Sequence, residues 1–107
     1  MNAVSPEPVM KIAMGFMAAK HLFVANEVGL FEALAAGGCS IDELAKRTSV
    51  PAHTLGIVAD AMVAIGFAER EGNLYRNADI ATAFLSGTGD LDLRPMLRFW
   101  ENISYPL

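Results

Sequence analysis

The side chains able to do chemistry are few in this chain, and they stand apart. Cys39 lies in Gly37-Gly38-Cys39-Ser40, just before a segment that can open a helix, a place where a thiol can ionise early. Its neighbours in sequence supply no cation, so a small structural residue in a turn is the better reading. His21 and His53 share no ligand spacing with each other or with Cys39, and zinc needs clustered His and Cys, so no metal is expected. Gly87-Thr88-Gly89-Asp90 resembles a nucleotide-binding glycine loop, which must leave a strand and enter a helix. Residues 80–85 before it read as helical and Pro95 follows soon after, so an ordinary loop is expected and no cofactor site. The acidic residues Glu27, Glu32, Asp42, Glu43, Asp60, Glu69 and Glu71 are scattered, with no pair forced into one pocket for general acid-base work. No catalytic residue is assigned. Phe99, Trp100, Ile103 and Tyr105 could wall an apolar ligand pocket, although aromatic residues on a helix more often serve a core.

Nucleic-acid binding is the other chemistry to weigh. Residues 41–77 predict a short capped helix, a turn, a longer apolar helix and a hairpin, the order of a winged helix. From Pro51 to Gly66 there is no Lys or Arg, and Asp60 adds a negative charge. Duplex affinity comes from cations on phosphates, and base reading needs Arg, Lys, Asn or Gln on that helix. The net charge of −4 and pI near 5.0 point the same way. No nucleic-acid partner is expected.

Composition bounds the rest. At 107 residues the chain is one domain by length, with 53% hydrophobic and 19% charged residues. A domain this small buries only part of its unfolded surface, so the apolar surplus predicts surface covered by a second subunit or another domain. Lys11, Lys20, His21 and Glu27 interrupt the N-terminal apolar stretch, so no membrane span is expected there. One cysteine permits no internal disulfide, and the start lacks signal-peptide character; a cytoplasmic location is expected.

The elements follow from pattern and punctuation. Residues 1–8 are expected to be a flexible N-terminus, with Pro6 and Pro8 able to open a helix. Residues 9–27 are apolar around most of a helical circumference, as in a helix buried on all sides. So short a chain cannot surround such a helix alone, which predicts a homodimer with Met10, Met14, Phe16, Met17 and Phe23 as contacts. A short helix at 30–34 ends at Gly37-Gly38. Ser40 and Glu43 form a capping box, and Pro51 opens the next helix. Residues 67–70 and 74–76 pair as strands across Gly72-Asn73. Asn77 is placed to cap a helix through Leu85, and 86–90 is a loop. In 91–107, Leu93, Met96, Leu97, Trp100, Ile103 and Leu107 share one face. The expected organisation is a mainly α, winged-helix-like bundle with one small β-hairpin over 9–90, and a helical connection over 91–107 to a catalytic domain absent from this chain.

Several of these runs together resemble one family. Residues 24–34 (VANEVGLFEAL), 40–45 (SIDELA), 55–67 with Glu69, and 74–77 (LYRN) are similar to the N-terminal dimerisation domain of S-adenosylmethionine-dependent O-methyltransferases. The kinship is with bacterial natural-product and plant caffeate-type enzymes, and it spans about residues 9–107. Members often carry Arg in the helix at 51–66, where this chain has His53, Gly56 and Asp60. The resemblance implies a homodimer that swaps its first helices and a module that walls the pocket of a small-molecule acceptor. That acceptor would be an aromatic or polyketide-type natural product. It also implies that S-adenosylmethionine and the catalytic base belong to a following Rossmann-like domain, so this chain alone is expected to be inactive and to bind no cofactor. A small winged-helix transcriptional regulator is the alternative, with Lys46, Arg47, Arg70 and Arg76 as its possible phosphate contacts.

Overall fold

The structure is a computed structural model and describes residues 4–104. Tyr105 and Leu107 therefore lie outside the described residues, as do residues 1–3 of the stretch 1–8 that was expected to precede the first helix. Among the described residues are six helices and one antiparallel strand pair.

Helix α1 (Glu7–Val28) begins two residues earlier than its apolar pattern, because Ser5 Oγ accepts from Glu7 N at 3.1 Å and Pro8 suits a first turn. It stops at Gly29, whose φ of 77° is left-handed and costs glycine little. The same residue starts α2 (Leu30–Ala35), so the chain turns without a linker and buries Leu30, Phe31 and Leu34. Helix α3 (Ile41–Thr48) is capped by Ser40, whose Oγ accepts from Glu43 N at 3.2 Å. Only half of the expected capping box forms; the Glu43 carboxylate lies 3.7 Å from Arg47 instead. Pro51 precedes α4 (Ala52–Ala64), which turns Leu55, Val58, Ala59 and Met62 inward.

Strands β1 (Ala68–Glu71) and β2 (Leu74–Asn77) pair antiparallel, with Glu71 opposite Leu74 across the Gly72-Asn73 turn. Cys39 extends this pairing through two backbone hydrogen bonds with Tyr75, at 2.9 and 2.8 Å. Gly38 permits that approach, since a Cβ there would sit 3.0 Å from the Tyr75 carbonyl oxygen. Helix α5 (Asp79–Phe84) is preceded by Ala78 without a side-chain cap. The cap expected from Asn77 does not form, because its Nδ2 is drawn to the Phe31 carbonyl at 2.9 Å. That bond holds the hairpin to α2. Helix α6 (Arg94–Ser104) closes the described part.

The core gathers one face of each element: Leu30, Phe31, Leu44, Leu55 and Met62 are fully buried, with α1 contributing Phe23 and Ala25. Two expectations change. The α6 stripe divides: Leu93 and Leu97 pack inward, while Met96, Trp100 and Ile103 face outward. Helix α1 is also long and apolar enough to cross a membrane by length and composition, contrary to the reading that its charges preclude a span. Lys11 and Lys20 are too few to take it out of that range, and its C-terminal half belongs to the core described here.

Candidate functional site

Two apolar surfaces dominate the outside of the molecule. The first is the N-terminal half of α1, where Val9, Met10, Ile12, Met14, Phe16 and Met17 are all exposed, Ile12 by 77% and Met17 by 51%. Their spacing leaves no polar face, since only Lys11 interrupts the run between residues 9 and 17. Phe23 differs from the other expected contacts. It is 8% exposed and packs into its own subunit's core, so it is not on this surface. The helix protrudes, and the molecule measures 55 × 33 × 28 Å.

The second surface is the outer face of α6. Met96, Phe99, Trp100 and Ile103 recur at helical spacing and are all exposed, Trp100 by 49%. Phe99, Trp100 and Ile103 thus share one exposed face, while Tyr105 falls outside the described residues. They line neither of the two clefts described next. One cleft of about 140 Å³ lies behind them, lined by Leu22, Phe67, Phe84, Leu85, Leu93 and Leu97. Its volume is below the few hundred Å³ of a typical small-molecule site. A second, of about 240 Å³, lies between the start of α3 and the hairpin, bounded by Ser40, Asp42, Arg70, Asn73 and Tyr75.

Two of the groups that line the second cleft, Arg70 and Tyr75, are already committed to Asp60. Tyr75 donates its hydroxyl proton to Asp60 Oδ1 at 2.6 Å, and Arg70 donates to the same oxygen at 3.0 Å while lying over the Tyr75 ring. Burial pushes the Tyr75 hydroxyl pKa up, and acceptance by Asp60 pushes it further, so the phenol stays protonated. Burial likewise raises the Cys39 thiol, outweighing the opposing charge of Arg47, which leaves it a poor nucleophile. No group of three or more His, Cys, Asp or Glu side chains suited to a metal occurs among the described residues.

Three of the four possible phosphate contacts, Arg47, Arg70 and Arg76, are engaged with the chain itself, and Lys46 is exposed. Arg47 donates to the Ala33 and Gly37 carbonyls at 2.9 Å each, and Arg76 pairs with Glu69 at 2.8 Å and Glu71 at 3.5 Å. The exposed side of α4 presents His53, Thr54, Ile57 and Asp60. That helix offers a duplex one acid and no lysine or arginine.

Sequence reasoning missed a polar cluster at the start of α6. Arg94 Nη1 donates to Glu32 Oε2 at 2.9 Å, and its Nε and Nη2 donate to the Asp92 carboxylate at 2.8 and 2.7 Å. These hydrogen bonds raise the Arg94 pKa and hold the Asp92 carboxyl down at about 2. The glycine loop supplies the room. A Cβ at Gly87 would lie 2.6 Å from an Arg94 nitrogen, and one at Gly89 would overlap the Ala83 carbonyl. Gly89 is therefore needed for close backbone packing, and Gly87 for its left-handed φ of 83°. The one clue in sequence was the Asp92-Leu93-Arg94 spacing after that loop; Glu32, 62 residues from Arg94, gave none.

Comparison with known proteins places this architecture. The family model described as O-methyltransferase dimerisation domain matches residues 10–87. The 3-hydroxy-5-methyl-1-naphthoate 3-O-methyltransferase of Streptomyces sahachiroi is 35% identical over 80 residues, covering 75% of this chain and 23% of that protein. The N,N-dimethyltransferase OxyT of Streptomyces rimosus is 34% identical over 77 residues, covering 72% of this chain and 22% of that protein. Among solved structures, PigF with SAH superposes with a TM-score of 0.87 at 25% identity, over 97% of this chain and 34% of PigF. The chain thus spans between about a fifth and a third of the length of these relatives.

Proposed function

This chain belongs to the O-methyltransferase dimerisation-domain family, and from that premise we propose that it is the dimerisation and acceptor-side module of an S-adenosylmethionine-dependent O-methyltransferase. Two copies associate through the outer half of α1. The outer face of α6, with Phe99, Trp100 and Ile103, walls one side of the acceptor cavity, and 91–107 leads toward the catalytic domain. The order α3, α4, β1, β2 is a winged-helix arrangement used for protein contact. S-adenosylmethionine and the groups that move protons belong to that catalytic domain, so this chain alone transfers no methyl group. The acceptor is a small aromatic or polyketide-type natural product carrying a hydroxyl, in line with the naphthoate named for the Streptomyces sahachiroi relative. The enzyme works in the cytoplasm, with neither nucleic acid nor membrane as a partner.

The observation that carries this reading is the uncovered apolar half of α1 in a domain of this family. Burying a large apolar side chain contributes about 1.5–3 kcal/mol. Val9, Met10, Ile12, Met14 and Met17 from each of two copies offset an association cost of about 4–15 kcal/mol. Sedimentation at tens of micromolar tests it. A dimer is expected, and a well-folded monomer of the wild-type chain would remove the basis of the proposal. Calorimetric titration with S-adenosylmethionine adds a second check, with no saturable binding expected.

A further inference from the structure

The start of α6 is tied at more points than a helix start requires. A helix leaves its first N–H groups unsatisfied, and Asp92 Oδ1 already accepts from Arg94 N at 3.0 Å. Beyond that, Leu93 N donates to the Phe84 carbonyl at 2.9 Å, and the Arg94 carbonyl accepts from Asn26 Nδ2 at 3.2 Å. The Arg94 side chain then reaches α2 through Glu32 and lies under Gly87. One turn of backbone is thereby joined to α1, α2 and α5. Glu32 Oε1 and Asn26 Oδ1 are buried without a hydrogen-bond partner among the described residues, so the guanidinium is the charge that balances the carboxylate.

An ion pair that is mostly out of water adds little to stability compared with an apolar pair of the same size. What a guanidinium fork adds is direction, because its planar donors meet a carboxylate at a set angle. The apolar contacts of α6, through Leu93 and Leu97, would allow the helix to pivot on α1; the fork does not. We propose that Arg94 is the positioning residue of α6, a latch to Glu32 and Asp92 that sets the angle at which the helix leaves the body. It thereby sets the direction in which Phe99, Trp100 and Ile103 are presented. The effect on an acceptor cavity rests on the function proposed above; the latch itself does not.

Trp100 is the only tryptophan of the chain, so it reports α6 alone. The test compares Arg94→Met, Arg94→Lys and Glu32→Gln with the wild-type chain by amide hydrogen exchange and tryptophan anisotropy. Arg94→Met is expected to speed exchange in residues 97–103 by about tenfold, while α3 and α4 change less than about twofold. Trp100 anisotropy should fall with it. Glu32→Gln should act in the same direction more weakly, and Arg94→Lys should restore part of the protection. Exchange that rises equally in α3, α4 and α6, or that stays unchanged in α6, overturns the proposal. Should Arg94→Met fail to fold, Glu32→Gln decides by the same criterion. Sedimentation of the same samples keeps the two readings apart, since a monomeric wild-type chain removes the dimer and leaves the latch to stand or fall on exchange.

Discussion

The two halves of α1 are built from the same residue types and have opposite fates. Residues 9–17 hold Val, Met, Ile, Ala, Gly and Phe around a single lysine, and they project into solvent. Residues 18–28 hold a comparable apolar set with Lys20, His21, Asn26 and Glu27 among them, and there Phe23, Ala25 and Asn26 are buried. The more polar half is the covered one. Hydropathy therefore does not say which stretch of a helix its own chain will bury. What distinguishes the inner half is that α4 and α6 pack against it and that Asn26 has a carbonyl to donate to. The outer half extends past those elements. Burial follows the reach of the neighbours, and an apolar stretch left beyond that reach is suited to a second molecule.

The comparison breaks first, and with the largest effect, at Phe23. Phe23→Ala should lower the unfolding free energy by about 3–5 kcal/mol through the cavity it leaves, read from urea denaturation. Met14→Ala under monomeric conditions should stay within about 0.5 kcal/mol, as an exposed substitution does. Equal losses at the two positions would mean that the outer half is packed within its own subunit.

Charge on the outer half tests the same contrast from the other side. In a two-fold interface each substitution acts twice. Met17→Glu should therefore weaken dimerisation by about 100-fold, from about 1.5 kcal/mol lost per copy. Sedimentation at several concentrations measures it. An unchanged dissociation constant would move the interface elsewhere, to the face of α6 first.

A smaller effect is expected in the scaffold that covers the inner half. Ser40→Ala removes the cap of α3 and should cost about 1 kcal/mol, seen in thermal unfolding without change in association. A shift in the dimer equilibrium would show that α3 reports on the interface as well.

The smallest effect concerns Asp92, which helps tie α6 beside the inner half of α1. Its carboxyl is held at about 2 by the Arg94 side chain and then the Arg94 backbone N–H, against an ordinary value of 3.8. A lowered folded pKa stabilises the fold fully above the unfolded value and loses that contribution as pH falls from 3.8 toward 2. Wild-type and Asp92→Asn chains should thus differ in thermal midpoint at pH 5 and converge near pH 2. A difference that persists at pH 2 would assign the role of Asp92 to its shape and not to its charge.

Local chemistry made most elements readable in advance. Gly29 could end α1 because a glycine adopts a left-handed φ, Ser40 could cap α3 because its hydroxyl reaches an N–H three residues on, and Gly72-Asn73 could close a two-residue turn. Each of these depends on neighbours along the chain. Asn77 misled for the same reason. Its residue type suited a cap, but a carbonyl 46 residues away, on Phe31, competed for its amide and won. The surfaces were half legible: residue type marked Phe99, Trp100, Ile103 and the α1 methionines as apolar, and only packing showed that Phe23 turns inward while they face out.

By itself, the sequence determined a mainly α chain with one hairpin, the ends of its helices, and a lack of the cations a DNA reader requires. These follow from periodicity, caps and charge, which act over a few residues or over the whole composition. Tertiary structure alone decided which half of α1 is covered, why Gly89 must be a glycine, and that Arg94 finds Glu32 from the far end of the chain. Those are contacts between residues distant in sequence. No local rule anticipates them, because the partner's position exists only once the elements between have packed.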